Sequence, residues 1–275
     1  MLDPEIQKKL IQEGRDFMKG YSNRPFDDFE SDQELKLPQP PLVKAPMAEQ
    51  AMPLPRNFAD LELQNDLIAL LTERKSSRVY TQQSVSLLQL SFLLWAAQGI
   101  KDIRGKSYAT LRTVPSGGAR HGFETYLLVR NVEGLQPGAY HYLPLGHELE
   151  FLHPVDDLPE AITASLVGQS WAAKASVVFY YSFVPYRCEW RYGIWAHRPA
   201  LMDAGHVGQN LYLACAAIGL GTCAIAAFDT AICDALFELD GEEEFMVYAF
   251  PVGTISASDQ RSEKAFYQFV EDEGL

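Results

Sequence analysis

From Leu61 onward the apolar positions follow a helical period, with Leu63, Leu67, Ile68, Leu70 and Leu71 on one face until the basic cluster ERKSSRVY ends the run. A second helix is predicted over Leu87 to Ala97. Ser86 and Gln89 form a capping box at its start and Gly99 stops it. RTVPSGGARHG is turn material, and ETYLLVR has the aromatic and β-branched content of a strand. Two short strands follow around AYHYL and ELEFLH, joined through Pro144 to Gly146. A helix from about Pro159 to Ala173 leads into the apolar strand SVVFYYSF. Arg187 to Arg198, rich in aromatic and basic side chains, reads as a loop before a long helix from Pro199 to about Leu220. A short strand, a helix from Thr230 to Leu239 and a last strand, FMVYAFPVG, complete the pattern. Helices and strands mix without regular βαβ alternation, which predicts an α+β sandwich rather than a doubly wound sheet.

Residues 1–60 differ from the rest. A charged, helix-forming start gives way to LPQPPLVKAPMAEQAMPLPRN, where proline recurs too often for a helix or an inner strand. This segment is expected to be an extended arm, either an unstructured linker or a strap over the domain or a second subunit, and residues 61–275 form the main domain. Net charge of -13 repels phosphate backbones and argues against nucleic acid as a partner. The N-terminus lacks the apolar core of a secretory signal, so a cytoplasmic location is expected. Cys188, Cys215, Cys223 and Cys233 never fall at CxxC spacing and read as small buried hydrophobes. Gly205 to Phe228 is long and apolar enough to raise the question of a membrane span. Gly219, Gly221 and Thr222 interrupt it and basic flanks are missing, so no membrane association is expected.

Candidate chemistry sits at two places. Arg74, Lys75, Ser76 and Arg78 put three cations and a hydroxyl within five residues where a helix ends, the donor set a phosphate monoester requires. A solvated basic turn that favours the helix C-terminus is the competing reading. Pro115, Ser116, Gly117 and Gly118 precede a strand, where glycines let backbone approach a flat ring; a simple turn would look the same. GLGTCA imitates a dinucleotide fingerprint but closes a helix instead of opening one, which excludes a Rossmann site. The sequence has no HExxH, GxSxG or P-loop, and His141, His147 and His153 have no cysteine partners at ligand spacing, so no metal site is expected.

Taken in order, these pieces resemble the nitroreductase family from about Leu67 to Gly253. RKSSRVY followed by SVSLLQLSFLLWAAQGI is similar to the family's opening. VPSGGARHGFETYLLV followed by EGLQPGAYHYLPLGHELE resembles its SagB-type branch, and LMDAGHVGQNLYLACAAIGLGTCAIAAFD its central helix and the flavin-side strand. The resemblance implies an α+β three-layer sandwich, with a central mixed or antiparallel sheet flanked by helices, in an interlocked homodimer with FMN at the subunit interface. It places Arg74, Lys75, Ser76 and Arg78 at the FMN phosphate, with Arg261 as a further contact. Pro115, Ser116 and Gly117 would approach the isoalloxazine from the partner subunit, and Ala226 and Ala227 would present backbone near N5. SagB-type azoline dehydrogenases are associated with a Lys-Tyr pair, and the corresponding residues here are Arg191 and Tyr192. Arginine is a poor base, which weighs against azoline oxidation; Tyr192 could relay a proton or simply pack the loop. Three functions follow. One is dehydrogenation of an azoline-like peptide or small molecule beside a cyclodehydratase partner. Another is NAD(P)H-dependent reduction of nitro or quinone compounds. The third is a non-catalytic flavin-binding scaffold.

Overall fold

The computed structural model describes residues 3–19, 29–256, 268 and 272–274. Its strands are β1 (Ala51–Pro53), β2 (Ile100–Arg104), β3 (Ala109–Arg112), β4 (Phe123–Val129), β5 (Gly138–Leu143), β6 (Glu148–His153), β7 (Val177–Phe183), β8 (Leu220–Thr222) and β9 (Phe245–Thr254). Its helices are α1 (Pro4–Lys19), α2 (Leu67–Glu73), α3 (Leu87–Gln98), α4 (Leu158–Ser165), α5 (Pro185–Tyr192), α6 (His197–Ala217) and α7 (Thr230–Leu236). Seven strands form one antiparallel sheet in the order β1-β6-β5-β4-β7-β9-β8, and β2 and β3 pair separately as a hairpin.

The period-2 alternation of β4 sorts its side chains between two cores. Leu127 and Val129 join α3 and α6 through Leu90, Leu94, Val207 and Leu211, whereas Tyr126 and Leu128 join α4 and α7 through Ile162, Cys233 and Phe237. Both faces of the sheet are therefore covered, and β4 and β7 are buried at every position. This is the three-layer α+β arrangement expected. Cys188, Cys215, Cys223 and Cys233 are free and buried. Among the described residues no helix is long and apolar enough to cross a membrane, and no cluster of metal-ligating side chains occurs.

Four local expectations are corrected. The first helical run begins only at Leu67, because the Asp66 carboxylate accepts from the amides of Ile68 and Ala69 and caps the helix there. The supposed loop at Arg187 to Arg198 is largely helical: Pro185 starts α5, and Gly193, at φ 46°, breaks it from α6. The helix predicted from Pro159 to Ala173 stops at Ser165, and Gly168 turns the chain at φ 85°. Sequence reading also missed the β2–β3 hairpin, whose turn holds Gly105 and Ser107 at positive φ.

The proline-rich segment lies on the sheet. Ala51, Met52 and Pro53 pair with Glu150, Leu149 and Glu148 as the edge strand, a position that tolerates proline. Upstream, the Lys44 amide donates to Glu124 Oε1 at 2.9 Å, and the amides of Met47 and Ala48 donate to Glu150 Oε2 at 2.9 and 2.7 Å. His141 is fully buried between these carboxylates, 2.7 Å from Glu150 and 3.5 Å from Glu124. Burial opposes ionisation of Glu124, yet Arg187 and His141 outweigh it and hold the carboxyl well below the usual range. Burial likewise disfavours charge on His141, but the two carboxylates raise its pKa.

Candidate functional site

The cation cluster runs along the β8 edge of the sheet. Ser76 bridges Thr222 in parallel, and the Ser77 amide donates to the Thr222 carbonyl at 2.8 Å. Alternation then sends Arg74 and Ser76 toward α6. The Arg74 guanidinium lies 5.2 Å from the centre of the Tyr212 ring, and Ser76 Oγ is 2.8 Å from the Tyr212 hydroxyl. That hydroxyl accepts from the Ala224 amide at 2.8 Å, so its own proton is available to Ser76 and leaves the Ser76 hydroxyl free to donate outward. Arg74, Lys75, Ser77, Tyr212 and Gly219 line a cleft of about 200 Å³. Arg78 stacks over Trp171 at 5.9 Å. The same loop supplies Gln169, whose side chain donates to the Ala227 carbonyl at 3.1 Å. Ala226 and Ala227 are exposed just beyond the Ile225–Ala249 bridge. The structure thus gathers Arg74, Lys75, Ser76, Arg78, Ala226 and Ala227 along one edge.

Pro115, Ser116 and Gly117 lie elsewhere, against the N-terminal half of α6. The Gly117 amide donates to both Asp203 oxygens at 3.2 and 3.0 Å. Burial pushes the Asp203 carboxyl up, while hydrogen bonds from Ser116 and Gly117 pull the other way. Gly118 has φ 58°, and a Cβ there would lie 2.5 Å from the Tyr192 hydroxyl and 2.7 Å from Arg191 Nε. Arg191 and Tyr192 therefore cover the glycine turn directly. Asp203 and Tyr212 are nine residues apart on α6, about 13 Å of helical rise, so one helix carries both candidate regions at separate points. Arg261 lies outside the described residues.

The nitroreductase family model matches residues 71–254. The chain belongs to the nitroreductase family. Its members are oxidoreductases, which as a rule use flavin cofactors. A Methanocaldococcus jannaschii relative, MJ1384, provisionally named a nitroreductase, is 33% identical over 184 residues, 67% of this chain and 88% of that one. The trifolitoxin-processing protein TfxB of Rhizobium leguminosarum bv. trifolii is 28% identical over 51% of this chain and 39% of its own length. The solved Escherichia coli microcin synthetase McbBCD complex with truncated pro-MccB17 bound is similar over 93% of this chain and 95% of the matched chain, at 19% identity and a TM-score of 0.56. These likenesses support the SagB-type branch.

Beside the glycine turn of this nitroreductase-family chain, the structure adds residues that sequence reading missed. Tyr108, from the β2–β3 hairpin, accepts from Arg191 Nη1 at 2.6 Å and from Gln33 Nε2 at 3.1 Å. Arg120 lies 5.0 Å from the Tyr108 ring centre and donates to the Tyr108 carbonyl at 2.9 Å and to the Gly118 carbonyl at 3.1 Å. The Gln33 hydrogen bond leads, with Arg191 and Arg120, in outweighing burial and lowering the Tyr108 pKa. Burial is the largest single influence on Arg191 and lowers its pKa, but Tyr192 and Tyr108 together outweigh it and raise the pKa, so it stays a cation. The one available signal was Gly105 between IKDIR and the alternating run ATLR.

Proposed function

We propose that this chain is an FMN-dependent oxidoreductase that exchanges hydride between bound flavin and a small-molecule or peptide substrate. The observation that carries this reading is the donor set on the β8 edge. Arg74 and the Ser76 hydroxyl meet at Tyr212, Lys75 lines the same cleft as Arg74, and Arg78 follows beside Trp171; such a set suits a phosphate that is close to a dianion at neutral pH. The FMN phosphate would be held there, with the exposed backbone of Ala226 and Ala227 beside the ring. Bound flavin would supply a two-electron centre at N5, and the protein would supply orientation and a shaped cavity.

Because the glycine turn lies along α6 from this cluster, Pro115, Ser116 and Gly117 would serve the flavin held mainly by a second copy of the chain. A homodimer is also supported by exposed apolar side chains: Leu67, Ile68 and Leu71 on α2 are 59%, 78% and 54% exposed, and Leu201 and Met202 on α6 are about half exposed. Association of two copies would cover them.

The names of TfxB and of the microcin synthetase complex, both concerned with processing or building peptide products, favour azoline-type dehydrogenation in the cytoplasm alongside a cyclodehydratase. The nitroreductase name of MJ1384 favours the alternative, NAD(P)H-driven reduction of nitro or quinone compounds. An absorption spectrum of the purified protein tests the proposal, followed by anaerobic addition of NADPH or of a synthetic thiazoline peptide. Flavin bands bleached by the peptide support dehydrogenation, and bands bleached by NADPH support reduction. Bands that persist with both leave the scaffold reading, and failure to bind added FMN overturns the assignment.

A further inference from the structure

We propose that Tyr108 is the acid–base group of this site and that Arg191 is a positioning residue, acting on the reaction's proton through the Tyr108 hydroxyl. The proposal rests on the functional reading above, in which the Pro115–Gly117 turn walls the flavin site. At the position where a lysine would be expected to act as a base stands a guanidinium that stays protonated at any working pH. A proton acceptor must therefore come from a neighbour, and the structure places one phenol at the required spot.

The Tyr108 oxygen receives hydrogen bonds from Arg191 and Gln33, at 2.6 and 3.1 Å. Both stabilise the phenolate more than the phenol. Arg120 adds a second positive charge 5.0 Å from the ring centre. Among the described residues, the groups acting on this phenol are Arg191 from α5, Arg120 from the loop ahead of β4 and the uncharged Gln33 from the N-terminal arm, and none of them is acidic. Tyr108 is 37% exposed, so its side chain is not sealed off from the solvent beside the glycine turn. Tyr192 also interacts with Arg191, whose guanidinium sits 5.6 Å from its ring, but its hydroxyl lies over Gly118 and lacks the Gln33 hydrogen bond that Tyr108 has.

The N-terminal arm completes the cluster. The Gln33 amide donates to the Trp190 carbonyl at 2.8 Å, Trp190 Nε1 donates to the Leu37 carbonyl at 3.0 Å, and Tyr186 donates to Asp32 at 2.8 Å. Gln39 donates to the Ser107 carbonyl at 3.2 Å, one residue before Tyr108. The arm thus threads between α5 and the hairpin tip and brings Gln33 to the phenol.

In the dehydrogenation direction, one sp3 ring carbon of the azoline would give up hydride, the two-electron chemistry a bound flavin would supply, while the adjacent ring carbon would lose a proton to the Tyr108 phenolate oxygen. The two electrons of the second bond become the new π bond, the substrate is oxidised and the flavin reduced. In the reductive direction the Tyr108 hydroxyl returns that proton to the reduced acceptor.

The test uses the FMN-loaded full chain and its Tyr108→Phe, Arg191→Met and Arg191→Lys variants, with near-ultraviolet titration of phenolate absorption and pH profiles of turnover. The turnover probes are a thiazoline peptide with dioxygen as electron acceptor, and the quinone menadione with NADPH as reductant. The expected result is one tyrosine ionising below the others in the wild type, absent in Tyr108→Phe, moved upward in Arg191→Met and largely restored in Arg191→Lys. Turnover with the productive probe should fall about 100-fold or more in Tyr108→Phe with FMN content unchanged, and the matching limb of its pH profile should vanish. An early-ionising tyrosine that persists in Tyr108→Phe overturns the proposal. So does a wild-type rate and pH profile in that variant. If the wild type binds FMN yet turns over neither probe, the functional reading fails, a result distinct from a Tyr108→Phe enzyme that works normally.

Discussion

Replacing Arg74 by alanine separates a phosphate site from a solvated basic turn. Among the described residues the Arg74 guanidinium stacks over Tyr212 at 5.2 Å, a contact worth about 0.5–1 kcal/mol at a part-exposed position. The fold should therefore survive the change. With ligand bound, the same substitution removes a charge-assisted hydrogen bond worth about 1.5–3 kcal/mol. At about 1.4 kcal/mol per tenfold, FMN dissociation should weaken by about 10- to 150-fold. Lys75 and Arg78 remain, so binding is weakened and not abolished.

Riboflavin, which carries the same ring without the phosphate, supplies the control. Its affinity should change by less than about fivefold, the upper equivalent of the lost ring contact. Flavin fluorescence titrations of wild type and Arg74→Ala with both ligands close the cycle. Equal weakening toward FMN and riboflavin would refute the reasoning, because it would show that Arg74 shapes the pocket without touching phosphate. An intermediate effect from Arg74→Lys would identify the lost fork geometry as part of the loss.

Gly118→Ala must tolerate φ 58° and a Cβ 2.5 Å from the Tyr192 hydroxyl; a loss of about 1–2 kcal/mol from the backbone alone is expected in denaturant melts, and an unchanged midpoint would refute the packing described. Arg187→Met strands the fully buried Glu124 carboxylate, so stability should fall by about 3–5 kcal/mol, with part of it recovered when Glu124→Gln is added. The arm's hold on the sheet should depend on pH with two limbs. His141 has a raised pKa, so its contribution is complete below the ordinary 6.5 and is lost as pH rises through the raised value. Glu124 and Glu150 have lowered pKa values, so theirs is complete above the ordinary 4.5 and is lost as pH falls through the lowered ones. Hydrogen-exchange protection of the Met47 and Ala48 amides, corrected for intrinsic rates, should peak between those limits, and a flat profile would count against the latch.

The sheet and its helical layers were legible because burial on both faces writes itself as long apolar runs, as in ETYLLV and SVVFYYSF, and because α3 carries its capping box in the sequence. What stayed hidden was set by partners distant in the chain. Leu63 keeps the helical period of its neighbours, yet the Gln64 amide is taken by the distant Ala217 carbonyl, and Asp66 then caps α2 locally. The aromatic and basic stretch before Arg198 looked like a loop because its apolar and charged residues both find partners: Trp190 is buried, and Arg191 bonds Tyr108. Arg74, Ser76, Gly117 and Tyr192 were nameable because they lie in short runs. Tyr108, Gln33, Tyr212 and Asp203 were not, since each acquires its place only when separate segments meet.

The geometry of α6 links these observations. A single helix fixes Tyr212 against Arg74 and Ser76 near its C-terminal end and Asp203 against Gly117 nearer its start. Its buried face, through Ala204, Val207 and Leu211, is locked into the core with α3, so neither contact can shift without moving the other. Its other face leaves Leu201 and Met202 in solvent. A helix that carries both proposed binding elements and leaves Leu201 and Met202 exposed suits the proposed site divided between two copies: association would bring the glycine turn of one chain, with Arg191 and Tyr108 beside it, toward the cation cluster of the other. The N-terminal arm then has a chemical task as well as a structural one. Glu124 and Glu150 hold its backbone on the sheet, while farther upstream its Gln33 amide bonds the Tyr108 hydroxyl. Cutting the arm away before Lys44 should therefore leave the cation cluster intact while altering the ionisation of that phenol.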